Sequence, residues 1–396
     1  MKQQLLIASF DLAIGGVERS LIGLLNSIDY TRYDVDVMLF KHEGEFMSLF
    51  PEGPTLLPER KEYATFRQSV KEIAATKQAG IAAARLAAKY AGELHGKWVK
   101  SSEPGYSIIQ FGWEWTLPLL PSLEKEYDAA ISFLWPHHFV AHKVKAKKKI
   151  GWIHTDYSNI TLLTKKEEKM WKHMDAIAAV SESCETSFLQ KFPNLQNKMN
   201  VIENILSPTF IREQADEIVP AFSKSATTLV TVGRFSYAKG IDEAIRACRI
   251  LVDQGHNIHW HVVGYGPQEQ ELQSLISELR LENHFFLAGK KSNPYPYIKG
   301  CDLYVQPSRY EGKAVTVREA QILHKPVVIT NFPTAASQLE HNVDGFITEM
   351  GPEGIAKGIS TLLHDQKRVR QFIETTKQRN YGNSNEVEKL YELISS

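Results

Sequence analysis

The 396-residue chain balances 46 Lys and Arg against 46 Asp and Glu, which removes any overall electrostatic case for nucleic acid as a partner. At about 150 residues per domain it is long enough for two cores, and 43% hydrophobic residues exclude disordered, collagen-like and low-complexity classes. Nowhere do about 18 apolar residues run together, and the apolar run after Met1 is too short for a signal peptide, so no segment is expected to span a membrane.

Short apolar runs bounded by turn residues alternate with helix-period stretches from the start: a strand at 5–10, a helix at 17–28 and a strand at 35–40 read as a βαβ unit. Residues 59–100 break that rhythm with two expected Ala-rich helices holding nine Lys and Arg against four Glu. Such a basic surface suits an anionic membrane or a polyanion, and it also suits a solvated helical insertion. Strands resume at 129–133, 149–154 and 176–180. Lys143, Lys145, Lys147, Lys148 and Lys149 lead into the middle one, either extending the basic face or guarding that strand against aggregation. Ser181 and Ser183 open a helix to about 192, and the first parallel sheet ends near Asn204.

The segment 207–226, with Pro208 and Pro220 and little periodicity, reads as an interdomain linker. The βα rhythm then restarts, with strands at 228–233, 259–264, 284–287, 303–306, 327–330 and 346–348. The fold class expected is α/β, two Rossmann-like doubly wound domains facing a central cleft, spanning 1–206 and 207–378. A last helix in 379–396 crosses back to the first domain. In open α/β sheets, ligands sit beyond the carboxyl ends of the strands.

Three segments there carry chemistry. Pro307 to Ala320 follows a strand and enters a helix, with Glu311 in the loop and Glu319 about a turn into the helix. Helix-start amides of Gly312, Lys313, Ala314 and Val315 favour phosphate, and carboxylates accept bidentately from vicinal hydroxyls, a combination suited to a nucleotide sugar. Gly233-Arg234-Phe235-Ser236-Tyr237-Ala238-Lys239-Gly240 sets two long cations at another strand end, where they can clamp a diphosphate and stabilise it as a leaving group. Gly264 and Gly266 end a third strand and permit close backbone approach.

In this order and spacing, Arg234 with Lys239, Gly264 with Gly266, and Glu311 with Glu319 resemble the retaining glycosyltransferases of family 4, which have the GT-B fold and act in bacterial surface polysaccharide synthesis. Gly15-Gly16-Val17-Glu18, His154, Ser181 and Asn204 extend the resemblance over the first domain. It implies that Arg234 and Lys239 grip the donor diphosphate, Glu319 holds the ribose, Glu311 meets the transferred sugar, Gly16 approaches the phosphate and His154 lies near the sugar face. Departures are Lys313 after Glu311-Gly312, His324 where the motif helix often ends in Gly, and Glu203 before Asn204. At that helix end His324 is expected to adopt a left-handed conformation.

The implied activity is transfer of a hexosyl unit, from a UDP-sugar by preference, to a hydroxyl of a glycan or lipid-linked precursor, with retention. Two rivals are a non-catalytic GT-B nucleotide-binding partner and a nucleotide-sugar 2-epimerase. No cofactor or metal is expected: Asp34-Val35-Asp36 sits at the start of a strand, remote from these motifs, and the pairs His138/His142 and His259/His261 lack companion ligands. Cys184, Cys248 and Cys301 stand far apart, so a reducing cytoplasm fits. Attachment to an anionic membrane at its inner face, if made, is peripheral.

Overall fold

Buried, β-branched and aliphatic runs build two parallel sheets. The computed structural model describes all residues except 1, 14, 99–104, 156, 158, 159, 161, 219–221, 224 and 312. The first sheet comprises β1 (Gln3–Ser9), β2 (Tyr33–Leu39), β3 (Thr55–Leu56), β4 (Glu126–Phe133), β5 (Lys145–Ile153), β6 (Ala176–Ala179) and β7 (Met199–Val201), in the order β3-β2-β1-β4-β5-β6-β7. The second comprises β8 (Thr227–Val232), β9 (Ile258–Val263), β10 (Phe285–Gly289), β11 (Leu303–Gln306), β12 (Val327–Thr330) and β13 (Phe346–Thr348), in the order β10-β9-β8-β11-β12-β13. These are two Rossmann-like units. The strand order reverses between β1 and β4 and between β8 and β11, so the loops leaving those strands border each sheet's ligand crevice. β3 and β7, of two and three residues, are too short to show an alternation in sequence.

The first unit comprises 1–205 with 384–396, and the second 206–383. The segment 207–226, read from its prolines as a linker, instead contains the helix Pro208–Ala215, which belongs to the second unit. Ser207 Oγ caps it by accepting from the Phe210 amide, and Pro208 takes the first helical position, where its missing N–H costs nothing. Residues 379–383 stay with the second unit through polar ties. Arg379 bridges Glu340 and Asp344, Tyr381 donates to Asp344 at 2.9 Å, and the Leu206 amide donates to Asn383 Oδ1 at 2.8 Å. The last helix, Glu386–Ser395, packs within the first unit: Tyr391 stacks on Tyr33 at 4.6 Å and accepts from the Asp29 amide.

Residues 59–100 hold more than two helices. Short turns at Lys61–Ala64 and Val70–Ala74 precede the twenty-residue helix Ala79–Trp98, which packs on the helix Gly105–Thr116. Lys100 lies outside the described residues. Of the lysines entering β5, Lys147 pairs with Asp128 while its side chain stays largely exposed, and Lys149 donates to the Ala141 carbonyl. All three cysteines are buried thiols.

Candidate active site

The second unit's site grows from two neighbouring strand ends. After β8 the chain passes Gly233 and Arg234, buries Phe235 and turns through Tyr237–Lys239 into Gly240, whose φ of 61° starts the helix Ile241–Asp253. After β11 it runs through Ser308 and Glu311 into the helix Val315–Ile322. Arg309 stitches the two loops together. Its amide donates to the Ala238 carbonyl, its guanidinium grips Asp242 through two bonds and pairs with Glu243, and it lies 4.2 Å from the Tyr237 ring centroid.

This stitching brings Lys239 to Glu311. Lys239 Nζ donates to Glu311 Oε1 at 2.6 Å, and the same oxygen accepts from Ser308 Oγ at 2.6 Å and Gln306 Nε2 at 3.0 Å. Gln306 is the hub beneath them. It is fully buried, its Nε2 also donates to Ser308 Oγ, and its Oε1 accepts from Tyr304 and Thr316. Gln306 thus uses both amide donors and accepts twice at its oxygen, which fixes the hub in one arrangement. Arg234 is exposed two residues past the end of β8, in the loop that leads to Lys239.

Glu319 is the fifth residue of the helix Val315–Ile322 and has no exposed surface. Its Oε1 accepts from Tyr295 OH at 3.0 Å. The helix-start amides are less open than their position implies: Gly312 lies outside the described residues, and the Ala314 amide donates to Gln338 Oε1 at 2.9 Å. Thr334 completes that brace, donating to the Glu311 carbonyl and accepting from Gln338 Nε2. Lys313 is half-buried in the same loop, and Val315 is the first helical residue. Sequence reading missed Gln306, Ser308, Tyr295, Thr334 and Gln338. Gln306 and Ser308 were legible as polar residues beside a strand end, whereas the other three come from distant segments with no spacing to mark them.

Gly264 and Gly266 are needed by the chain itself. A side chain at Gly264 collides with the Gly233 carbonyl, and one at Gly266 collides with the Phe235 carbonyl, because the two loops are bonded from Gly233 N to Val263 O and from Phe235 N to Tyr265 O. Their close approach is to backbone, which holds the Arg234 loop in place. His324 takes φ 56°, as expected at that helix end. The His324 amide bonds to the Gln321 carbonyl and the Lys325 amide to the Ala320 carbonyl, a Schellman pattern stopped by Pro326.

In the first unit, Gly16 opens the helix Gly16–Leu25, and a Cβ there meets nothing within 4 Å. The carboxylate of Glu18 folds back over Gly15, so the helix start already carries a negative group of its own. Burial raises the Glu18 pKa, helped by the charge of Asp11, which pairs with Arg67. His154, one residue past β5, lies 4.4 Å from Phe133 and is stacked 6.2 Å from Trp152, with both ring nitrogens shut away from solvent. Burial pushes its pKa down to about 3, against a hydrogen bond with Asn204 that acts in the other direction. The ring is therefore neutral near pH 7 and is not a proton donor there. Ser181 Oγ caps the next helix through the Cys184 amide. Asp36 is buried, accepting from Lys125 at 2.9 Å and Tyr127 at 2.8 Å, so that carboxylate is committed to the sheet.

Residues 213–379, all within the second unit, match the family described as Glycosyl transferases group 1. Among curated relatives, the chain is 32% identical over 143 residues to the amylovoran biosynthesis glycosyltransferase AmsK of Erwinia amylovora, covering 34% of each. It is 26% identical over 213 residues to the N-acetylgalactosamine-N,N'-diacetylbacillosaminyl-diphospho-undecaprenol 4-alpha-N-acetylgalactosaminyltransferase of Campylobacter jejuni, covering 53% of this chain and 56% of that one. The matched stretches thus span about a third to just over half of these relatives. Among solved structures, S. aureus TarM in complex with fondaparinux, alpha-GlcNAc-glycerol and UDP aligns over 100% of both chains with a TM-score of 0.67 and 14% identity. That likeness shows the fold, which is GT-B.

Proposed function

We propose that the protein transfers a hexosyl unit from a nucleotide diphosphate sugar, UDP-linked by preference, to a hydroxyl of a glycan or lipid-linked acceptor, with retention and without a metal. The observation that carries this reading is the Lys239–Glu311 contact on the Gln306–Ser308 hub, with Arg234 exposed in the loop that leads to Lys239 and Glu319 buried on the adjoining helix. The group 1 match over 213–379 and polysaccharide-synthesis relatives support the reaction class, and the UDP in the TarM structure supports the nucleotide.

A diphosphate arriving between the two loops meets Arg234 and draws Lys239 from Glu311, which keeps its Ser308 and Gln306 donors and so keeps its orientation toward the sugar. In front-face substitution the sugar–phosphate bond breaks as the acceptor oxygen bonds to the same face of the anomeric carbon. The acceptor proton passes to the departing phosphate oxygen, and the two cations stabilise its charge. No protein base is needed, which agrees with a neutral, enclosed His154. A panel of nucleotide sugars tested for thermal stabilisation checks the reading, since a ligand bound only by the folded chain raises stability by RT ln(1 + [L]/Kd). A UDP-hexose that stabilises the protein and is consumed with an acceptor supports it. Stabilisation without turnover over a range of acceptors favours the non-catalytic partner, and free epimerised sugar favours the epimerase.

A further inference from the structure

The helix Ala79–Trp98 has one face set by packing and another left open. Gly92 fits against Ile108 so closely that any side chain there would collide, which pins the helix rotation on the helix Gly105–Thr116. On the opposite side Leu86, Tyr90, Leu94 and Trp98 recur every fourth residue and so form one row, with exposures of 42%, 60%, 67% and 82%. A helix apolar on both faces is normally covered on both.

We propose that this row is a docking face for a lipid bilayer bearing anionic headgroups. Leucines supply apolar area to the acyl boundary, while Tyr90 and Trp98 have the apolar body and polar tip that suit the headgroup level. Lys89 and Lys97 are exposed on the same helix, and its only acidic residue, Glu93, faces Lys89 at 3.9 Å. That charge fits anionic lipid. It fits a second copy of the chain poorly, because symmetric pairing along the row doubles the positive excess on one seam. Arg85 takes no part: its guanidinium turns inward to the Thr65 and Gln68 carbonyls and over the Phe66 ring, so the docking cations are fewer than the sequence implies and the apolar row does more. The proposal does not use the donor site and stands apart from the transfer reaction.

Sedimentation of the full chain with vesicles tests it. The wild type is expected to pellet with mixed phosphatidylglycerol and phosphatidylcholine vesicles at low salt, and to stay in solution with phosphatidylcholine alone. Leu94→Ser with Trp98→Ser is expected to lower the partition coefficient by about tenfold or more, and Lys89→Glu with Lys97→Glu to abolish the preference for anionic lipid. All four positions are exposed, so melting curves matching the wild type show that loss of binding is not loss of fold. Equal binding by the Leu94/Trp98 variant overturns the proposal, as does a wild type that ignores vesicles. A wild-type dimer made monomeric by the Leu94/Trp98 variant assigns the row to a second copy instead.

Discussion

Lys239 Nζ stands 2.6 Å from Glu311 Oε1, so the cation and the carboxylate that the sequence offers as separate recognition groups neutralise one another across two loops. The two residues are therefore expected to act as a unit. Lys239→Ala should lower kcat about 10²- to 10³-fold, the usual loss for one electrostatic contact to a developing charge. The double variant Lys239→Ala/Glu311→Gln should lose less than the sum of the singles, with a coupling of about 0.5–3 kcal/mol in steady-state kinetics. Additive losses would mean that the pair is not coupled during turnover.

The glycines separate into two kinds. Gly264→Ala drives a methyl group into the Gly233 carbonyl and should destabilise the fold by about 1–3 kcal/mol in urea melts. Gly16→Ala meets open space on a helix and should keep or raise stability while weakening donor binding, if the phosphate approaches there. Unchanged donor affinity in Gly16→Ala would remove Gly16 from the site.

The alternation of βα units was legible because each long strand is a buried apolar run, and β1, β4, β8 and β11 all lie where the pattern puts them. The stretch 207–226 was not, because an eight-residue helix shows barely two turns of periodicity and its Ser207-Pro208 start also reads as a loop. In the site, charged residues at strand ends stood out. Their supports did not, since Tyr295 reaches Glu319 from 24 residues away and Gln338 reaches Ala314 from the same separation, with nothing in either local sequence to announce it.

Acidification should reveal the enclosed histidine. His154 has a folded pKa of about 3 against an ordinary 6.5, so the folded chain binds fewer protons than the unfolded one between those values. The sign follows: its contribution to stability is intact above pH 6.5 and is lost as pH falls, by up to about 1.4 kcal/mol per pH unit. Glu167 works oppositely, because burial raises its pKa and protonation relieves the cost. Denaturant melts between pH 7 and 4 should show a flatter loss for His154→Gln and a steeper one for Glu167→Gln. Slopes equal to the wild type in both would contradict these assignments.

Chelation gives a separate check on the leaving-group chemistry. With Arg234 and Lys239 supplying the charge, transfer should proceed in EDTA at a rate close to that without it. Complete loss with EDTA, restored by Mg²⁺ or Mn²⁺, would assign that work to a metal.

The most direct measurement is calorimetric titration of UDP into the full chain and into Glu319→Gln. Gln retains an oxygen for the Tyr295 hydroxyl and the volume of the buried side chain, so the variant should melt close to the wild type. It lacks the charge that strengthens bonds to ribose hydroxyls, a loss of about 1.5–3 kcal/mol. UDP should bind the wild type and bind the variant about 10- to 100-fold more weakly. Equal affinity in two proteins of equal stability would contradict the placement of a nucleotide at the β8 and β11 strand ends.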